Sequence, residues 1–326
     1  YRRCRIESLE SRQLMAVVAA PQVVLGSVYY EPHSGDDSEP NVIEISFVGG
    51  AAGTTLDRIV INGDKLENGP ATGDIIFDIA ARGVGAYAAH PFTIISSEGF
   101  TVNTVAVVDG GSQIAFTFTG FEAGMKFVFS LDVDELQWVE PGAVANGQVV
   151  NPSGIDVDAE VTGLEFQRSI LVGDFSAPGY VDLSLRGLYW DAYDSRFAAA
   201  QTAAGAIPTL PPDRYLPNDD LSVYTAGAIV HAPQIPLATL SGWVFHDRSD
   251  DGVFDRGSEV GIGGATIELL DAFGNPTGRT TVTSSEPGKV GYYEFRDLWE
   301  GTYSIREVQP NGWFDGKDNL GSLGGL

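Results

Sequence analysis

The chain has 326 residues, a length that divides naturally into two domains, each able to bury its own core. Its 40 Gly, 17 Pro and 10% aromatic residues describe many short strands and turns, and exclude a fibrous or disordered chain. With 19 basic against 44 acidic residues the net charge is −25, which repels phosphate backbones and anionic lipid; nucleic acid is excluded as a partner and divalent cations are favoured.

Residues 1–22 run from an Arg-rich start, Tyr1-Arg2-Arg3-Cys4-Arg5, through a short apolar stretch to small residues, the order of an export signal. Cys4 is the single cysteine, so the chain has no internal disulfide framework. No apolar run reaches the ~18 residues that a membrane-spanning helix needs.

From 23 to 238 strand follows strand. Residues 42–48 alternate and end on Gly49-Gly50, and 56–61 are closed by Asn62-Gly63-Asp64. Residues 74–80, 92–96 and 101–108 come next, the last ended by Asp109-Gly110-Gly111. Residues 114–119 and 126–133 have the clearest period of two, and Gly120 and Gly124 between them suit a hairpin. Further strands are expected at 161–166, 169–172 and 180–188. Regular short strands with turn signals predict an all-β, jelly-roll-like β-sandwich.

Within this stretch Asp132 and Asp134, and Asp156 and Asp158, alternate along strands. Paired carboxylates at that spacing grip a cation or serve a glycosidase, but the outward polar face of a half-buried strand is the simpler reading. Glu31, Asp36, Asp37 and Glu39 read as solvated surface. Tyr189, Trp190 and Tyr193, flanked by Asp191 and Asp194, are the candidate ligand-binding residues, suited to stack on a sugar ring; packing inside the sandwich competes with that role. Residues 196–220 break the pattern with an Ala-rich stretch and Pro208, Pro211, Pro212 and Pro217, and 231–236 read as an extended linker.

A second domain is expected over 239–326, where strand 241–246 delivers the chain into an acidic loop at 247–259. Counting Asp247 as position 1 puts Ser249 at 3, Asp251 at 5, Gly252 at 6, Val253 at 7 and Asp255 at 9. Alternate residues offering oxygen, with a sharp turn at the sixth, form the ligand ladder of a calcium loop; an Asp-rich solvated turn is the competing reading. Strands follow at 265–270, 292–295 and 302–308, with Tyr293 and Phe295 on one face and Tyr303 and Ile305 on one face. His33, His90, His231 and His246 have no zinc spacing, and no Gly-x-Ser-x-Gly elbow, phosphate-binding loop or dinucleotide fingerprint occurs. No enzyme activity is expected.

Two stretches resemble known families. Leu9-Glu10-Ser11-Arg12-Gln13-Leu14-Met15-Ala16 is similar to the opening of large secreted planctomycete-type surface proteins. Ser241-Gly242-x-Val244-x-x-Asp247-x-Ser249-x-Asp251-Gly252-x-x-Asp255, then Gly261-Ile262-x-Gly264-Ala265-x-Ile267-x-Leu269, resembles the SdrD B-like domain, the B-type domain of serine-aspartate repeat proteins. Gly291-x-Tyr293-x-Phe295-x-x-Leu298-x-x-Gly301-x-Tyr303-x-Ile305-x-Glu307-x-x-Pro310-x-Gly312-Trp313 continues the match. The resemblance implies a prealbumin-like, immunoglobulin-like B-type β-sandwich that binds Ca2+ and serves as a spacer on bacterial surfaces. In that family a further strand follows the Gly321-Ser322-x-Gly324-Gly325 segment, so the domain is expected to be truncated at its C-terminus.

The family's last acidic ligand directly follows the Gly at position 11. Here Ser258 intervenes and moves Glu259 to position 13, which ranks it last among the expected ligands Asp247, Ser249, Asp251, Val253, Asp255 and Glu259. The combined expectation is a non-enzymatic, secreted, cell-surface protein in which Ca2+ stabilises a spacer or adhesin-type module, with extracellular glycans or surface proteins as partners. The alternatives are a carbohydrate-binding module and a non-catalytic fragment of a larger secreted hydrolase.

Overall fold

A computed structural model describes residues 20–31, 39–85, 89–191, 194–196, 224–310 and 312–313. The expected export segment up to residue 19, Asp36 and Asp37, Tyr193, the Ala- and Pro-rich stretch from 197 and the expected truncation at the C-terminal end lie outside the described residues. The described chain divides into two compact units, one ending at Ile235 and the next beginning at Pro236, against an expected boundary at 238.

The first unit opens with β1 (Gln22–Tyr30), β2 (Asn41–Gly49), β3 (Thr55–Asn62), β4 (Ile75–Asp78) and β5 (Thr93–Ser96). It continues with β6 (Thr101–Val107), β7 (Gln113–Thr119), β8 (Lys126–Val139), β9 (Val144–Ala145), β10 (Gln148–Val149) and β11 (Ile155–Asp158). A four-residue helix, α1 (Gly163–Phe166), precedes β12 (Ile170–Ser176), β13 (Leu183–Leu188), β14 (Trp190–Asp191) and β15 (Thr225–Pro233). One sheet runs β11-β8-β2-β1-β15-β14 with β4 and β5 also paired to β8, and the other runs β13-β12-β3-β7-β6. Their inner faces share one core: Leu25, Ile45, Phe47, Phe127 and Phe129 from the first sheet meet Ile59, Ile61, Phe116, Phe118 and Phe175 from the second. Phe116 meets Phe127 edge-on at 5.0 Å and Phe47 meets Phe175 at 5.1 Å, so aromatic pairs bridge the layers. The expected all-β sandwich is what the chain builds.

Three local expectations fail for identifiable reasons. Residues 161–166 were expected as a strand, but Thr162 and Glu165 form a reciprocal capping box that winds α1 and sets the Phe166 ring 3.9 Å over Tyr29. Residues 231–233 belong to β15, not to a linker: His231 pairs with Val24, and Pro233 is tolerated because it ends the strand. Asp132 and Asp134 do not face outward; each is 0% exposed, on a β8 that runs on to Val139.

The second unit contains β16 (Ala238–Trp243), β17 (Phe245–His246), β18 (Val260–Gly261), β19 (Thr266–Leu270), β20 (Pro276–Val282), β21 (Tyr292–Leu298) and β22 (Ser304–Val308). The β16-β21 pair and the β20-β19-β22 sheet enclose Leu240, Ile267, Leu269, Tyr293, Phe295 and Leu298, with Tyr303 and Ile305 packed against them. The strand faces read from period-two spacing are therefore the faces that are buried. β20 was not expected, since Pro276-Thr277-Gly278-Arg279-Thr280-Thr281-Val282 is almost wholly exposed at a sheet edge and carries no apolar alternation.

Candidate metal centre

The acidic loop is closed at its base by two short strands. Phe245 pairs with Gly261 and His246 with Val260, so Asp247 and Glu259 emerge side by side from one ladder. A side chain at Gly261 would collide with the Val290 carbonyl, which explains a glycine at that register. Phe254, halfway round the loop, lies 5.3 Å from the Trp243 ring and 4.8 Å from Phe245. The Arg256 guanidinium sits 4.5 Å over Trp243. An apolar side thus anchors the loop to the strands and leaves its oxygen-bearing side to the interior of the turn.

Asp247 organises the first half. Its carboxylate accepts from the Gly252 N–H at 2.8 Å, the Asp251 N–H at 3.3 Å and the Ser249 hydroxyl at 3.3 Å. Burial pushes its carboxyl up, but these bonds and one from the Asp250 N–H outweigh burial and hold it below the usual carboxylate range. Gly252 at φ 79° and Asp250 at φ 55° take the left-handed conformations that the turn requires, the role foreseen for the sixth position. Asp251 accepts from the Val253 N–H at 2.8 Å. The side chains of Asp251, Val253 and Asp255 are exposed.

Glu259 organises the second half. One carboxylate oxygen accepts from the Arg248 N–H at 2.8 Å and from the Ser249 N–H and hydroxyl at 3.4 Å, and the other accepts from the Asp255 N–H at 3.1 Å. Only 6% of Glu259 is exposed. The inserted Ser258 does not displace it, because the backbone winds one helical turn there. The Glu259 N–H reaches the Asp255 carbonyl at 2.8 Å, and the Ser258 N–H reaches the same carbonyl at 2.9 Å. The residue ranked last from spacing is the innermost carboxylate of the loop.

The donor set is oxygen throughout, which suits Ca2+ and not a thiolate- or imidazole-seeking metal. Among the described residues no three His, Cys, Asp or Glu side chains are arranged together to hold a metal ion. The loop carboxylates are instead engaged by backbone N–H groups, as the hydrogen bonds above describe.

The aromatic candidates divide differently. Tyr189 is a core residue and is removed from the ligand-binding set: it is 0% exposed, lies edge-on to Phe166 at 4.9 Å and donates its hydroxyl to Ser27 Oγ at 2.6 Å. Trp190 is half-buried, and the Arg196 guanidinium covers its ring at 3.4 Å, where a sugar would have to stack. Phe254 and Arg256 went unremarked in the sequence although they fasten the loop; an aromatic placed between ligand positions 7 and 9 was the available signal.

A family model described as the SdrD B-like domain matches residues 238–323. Over 86 residues the chain is 36% identical to serine-aspartate repeat-containing protein F of Staphylococcus epidermidis, covering 26% of this chain and 5% of that protein. It is 38% identical over 78 residues to serine-aspartate repeat-containing protein D of Staphylococcus aureus strain Newman, covering 24% of this chain and 6% of that one. The matches therefore fall in the second unit and span a small part of much longer relatives.

Proposed function

We propose that residues 238–323, an SdrD B-like domain, are a calcium-stabilised, non-enzymatic spacer module of an adhesin-type protein displayed outside the cell. The observation that carries this reading is the closed loop 247–259, with Asp247 and Glu259 turned inward from one two-stranded ladder. The serine-aspartate repeat relatives and a net charge of −25 support the surface setting and the affinity for divalent cations. No described helix is long and apolar enough to cross a membrane.

Asp247, Ser249, Asp251, the Val253 carbonyl, Asp255 and Glu259 would hold the ion. Bound Ca2+ supplies concentrated positive charge that offsets the mutual repulsion of the loop carboxylates. The residues themselves do the rest. Phe254 and Arg256 keep the loop against Trp243, Gly252 makes the turn, and the β17–β18 ladder transmits loop rigidity to the sandwich. An ion that binds the folded form at 100 times its dissociation constant stabilises it by about 2.7 kcal/mol. Calorimetry with calcium and then with EDTA is the test. A higher Tm in calcium is expected, lost on chelation and diminished in Asp251→Ala and Glu259→Gln. Equal melting of wild type and Asp251→Ala in calcium rules the loop out as its source.

A further inference from the structure

A second group of carboxylates lies in the first unit, on the face of β4 and β8 turned away from the main core. Asp78 pairs with Asp132 and Ile76 with Asp134, so all four side chains share one side of the sheet. Phe77 and Val133, between them, point into the main core. Ile76 and Leu136 join Val84 and Val149 in a small apolar cluster of their own. Asp78, Asp132 and Asp134 are each 0% exposed, covered by the turn that follows β4.

The carboxylates differ in what satisfies them. Asp132 accepts from the Val133 N–H at 3.1 Å and the His90 N–H at 3.2 Å. Asp109, just past β6, accepts from the N–H groups of Ile79 at 3.0 Å, Ala80 at 3.1 Å and Val84 at 2.9 Å, and so pins the covering turn in place. Asp78 Oδ1 accepts a long 3.4 Å bond from the Ala80 N–H, whereas its Oδ2 is buried with no hydrogen-bond partner.

That oxygen points at Gly85. A β-carbon on Gly85 would lie 2.7 Å from Asp78 Oδ2 and would collide with Asp134 Oδ2, so two carboxylates face one small space that a residue without a side chain keeps open. Gly85 holds φ +107°, a conformation that other residues rarely adopt. A buried, ionised carboxylate facing further carboxylates is costly unless an opposite charge lies between them.

We propose that Asp78 and Asp134 bind a calcium ion in the space beside Gly85, as a structural site separate from the 247–259 loop. Two carboxylates balance the charge of one divalent ion. Ca2+ accepts irregular oxygen sets and completes six to eight ligands with carbonyls and water, which a two-carboxylate site requires. The rival occupant is a proton shared between Asp78 and a neighbouring carboxylate.

Calcium titration of the full-length chain by isothermal calorimetry separates these outcomes. Wild type is expected to bind two ions, Asp251→Ala one, Asp78→Asn one and the double variant none, with far-UV circular dichroism confirming that each is folded. A wild-type chain with one ion, lost in Asp251→Ala and kept in Asp78→Asn, overturns the proposal and leaves the loop reading intact. One ion lost in Asp78→Asn and kept in Asp251→Ala upholds it and defeats the loop reading. Asp134→Asn serves as the second variant should Asp78→Asn fail to fold; unchanged stoichiometry in either folded variant assigns the space to a proton.

Discussion

Asp78 shows how a single carboxylate couples the fold to pH. Burial, then contact with Asp109 and the charge of Asp134, push its carboxyl from the ordinary 3.8 up to about 8. The folded form therefore holds a proton that the unfolded chain has already released. This contribution to stability is complete below 3.8 and is lost as pH rises through about 8. In EDTA the wild type should lose stability between about pH 5 and about pH 8 more steeply than Asp78→Asn, measured by urea unfolding at each pH. Parallel slopes for the two proteins would mean that Asp78 ionises normally in the fold. Added calcium should flatten the wild-type slope, since an ion replaces the proton as counter-charge.

At the scale of elements, α1 and its surroundings give the sharpest test of packing. Phe166 lies between Tyr29, stacked at 3.9 Å, and Tyr189, edge-on at 4.9 Å, while Thr162 caps the turn that delivers it. Phe166→Ala should cost about 3–5 kcal/mol and Thr162→Ala about 0.5–2 kcal/mol in urea unfolding. A larger loss at Thr162 would make the cap, and not the ring, the main contribution.

The same elements show what could be read from sequence. β7 alternates buried and exposed residues because one face meets the core, and its period of two is plain. β1 is buried on both faces, and Gln22-Val23-Val24-Leu25-Gly26-Ser27-Val28-Tyr29-Tyr30 carries no alternation to find. The capping box Thr162-x-x-Glu165 was visible but outweighed by a short apolar run. The loop at 247–259 was legible because its ligands are local in sequence. The Asp78–Asp134 site was not, because β-pairing between distant segments assembles it. Inward or outward direction was equally invisible for Tyr189, whose neighbours Phe166 and Ser27 come from other elements.

For the whole molecule, two units with their own cores, one around Phe116 and Phe127 and one around Phe295 and Ile267, imply separable melting. Phe295→Ala should lower one calorimetric transition by an amount corresponding to about 3–5 kcal/mol and leave the other in place. Joint displacement of both transitions would show that the units melt together.

The β1–β15 ladder has a mechanical consequence for the first unit. Gln22, where the chain enters, faces Pro233, where it leaves, at one end of an antiparallel pair that runs to Tyr30 and Thr225. Tension drawn between those two ends loads the hydrogen bonds singly, from that end onward, like the teeth of a zip. It never loads them all at once in shear. Resistance to pulling then depends on the local barrier to opening each rung, not on the total stability of the Phe-rich interior. The unit is built to withstand heat better than force, and under load the seam between its first and last strands is where it gives way.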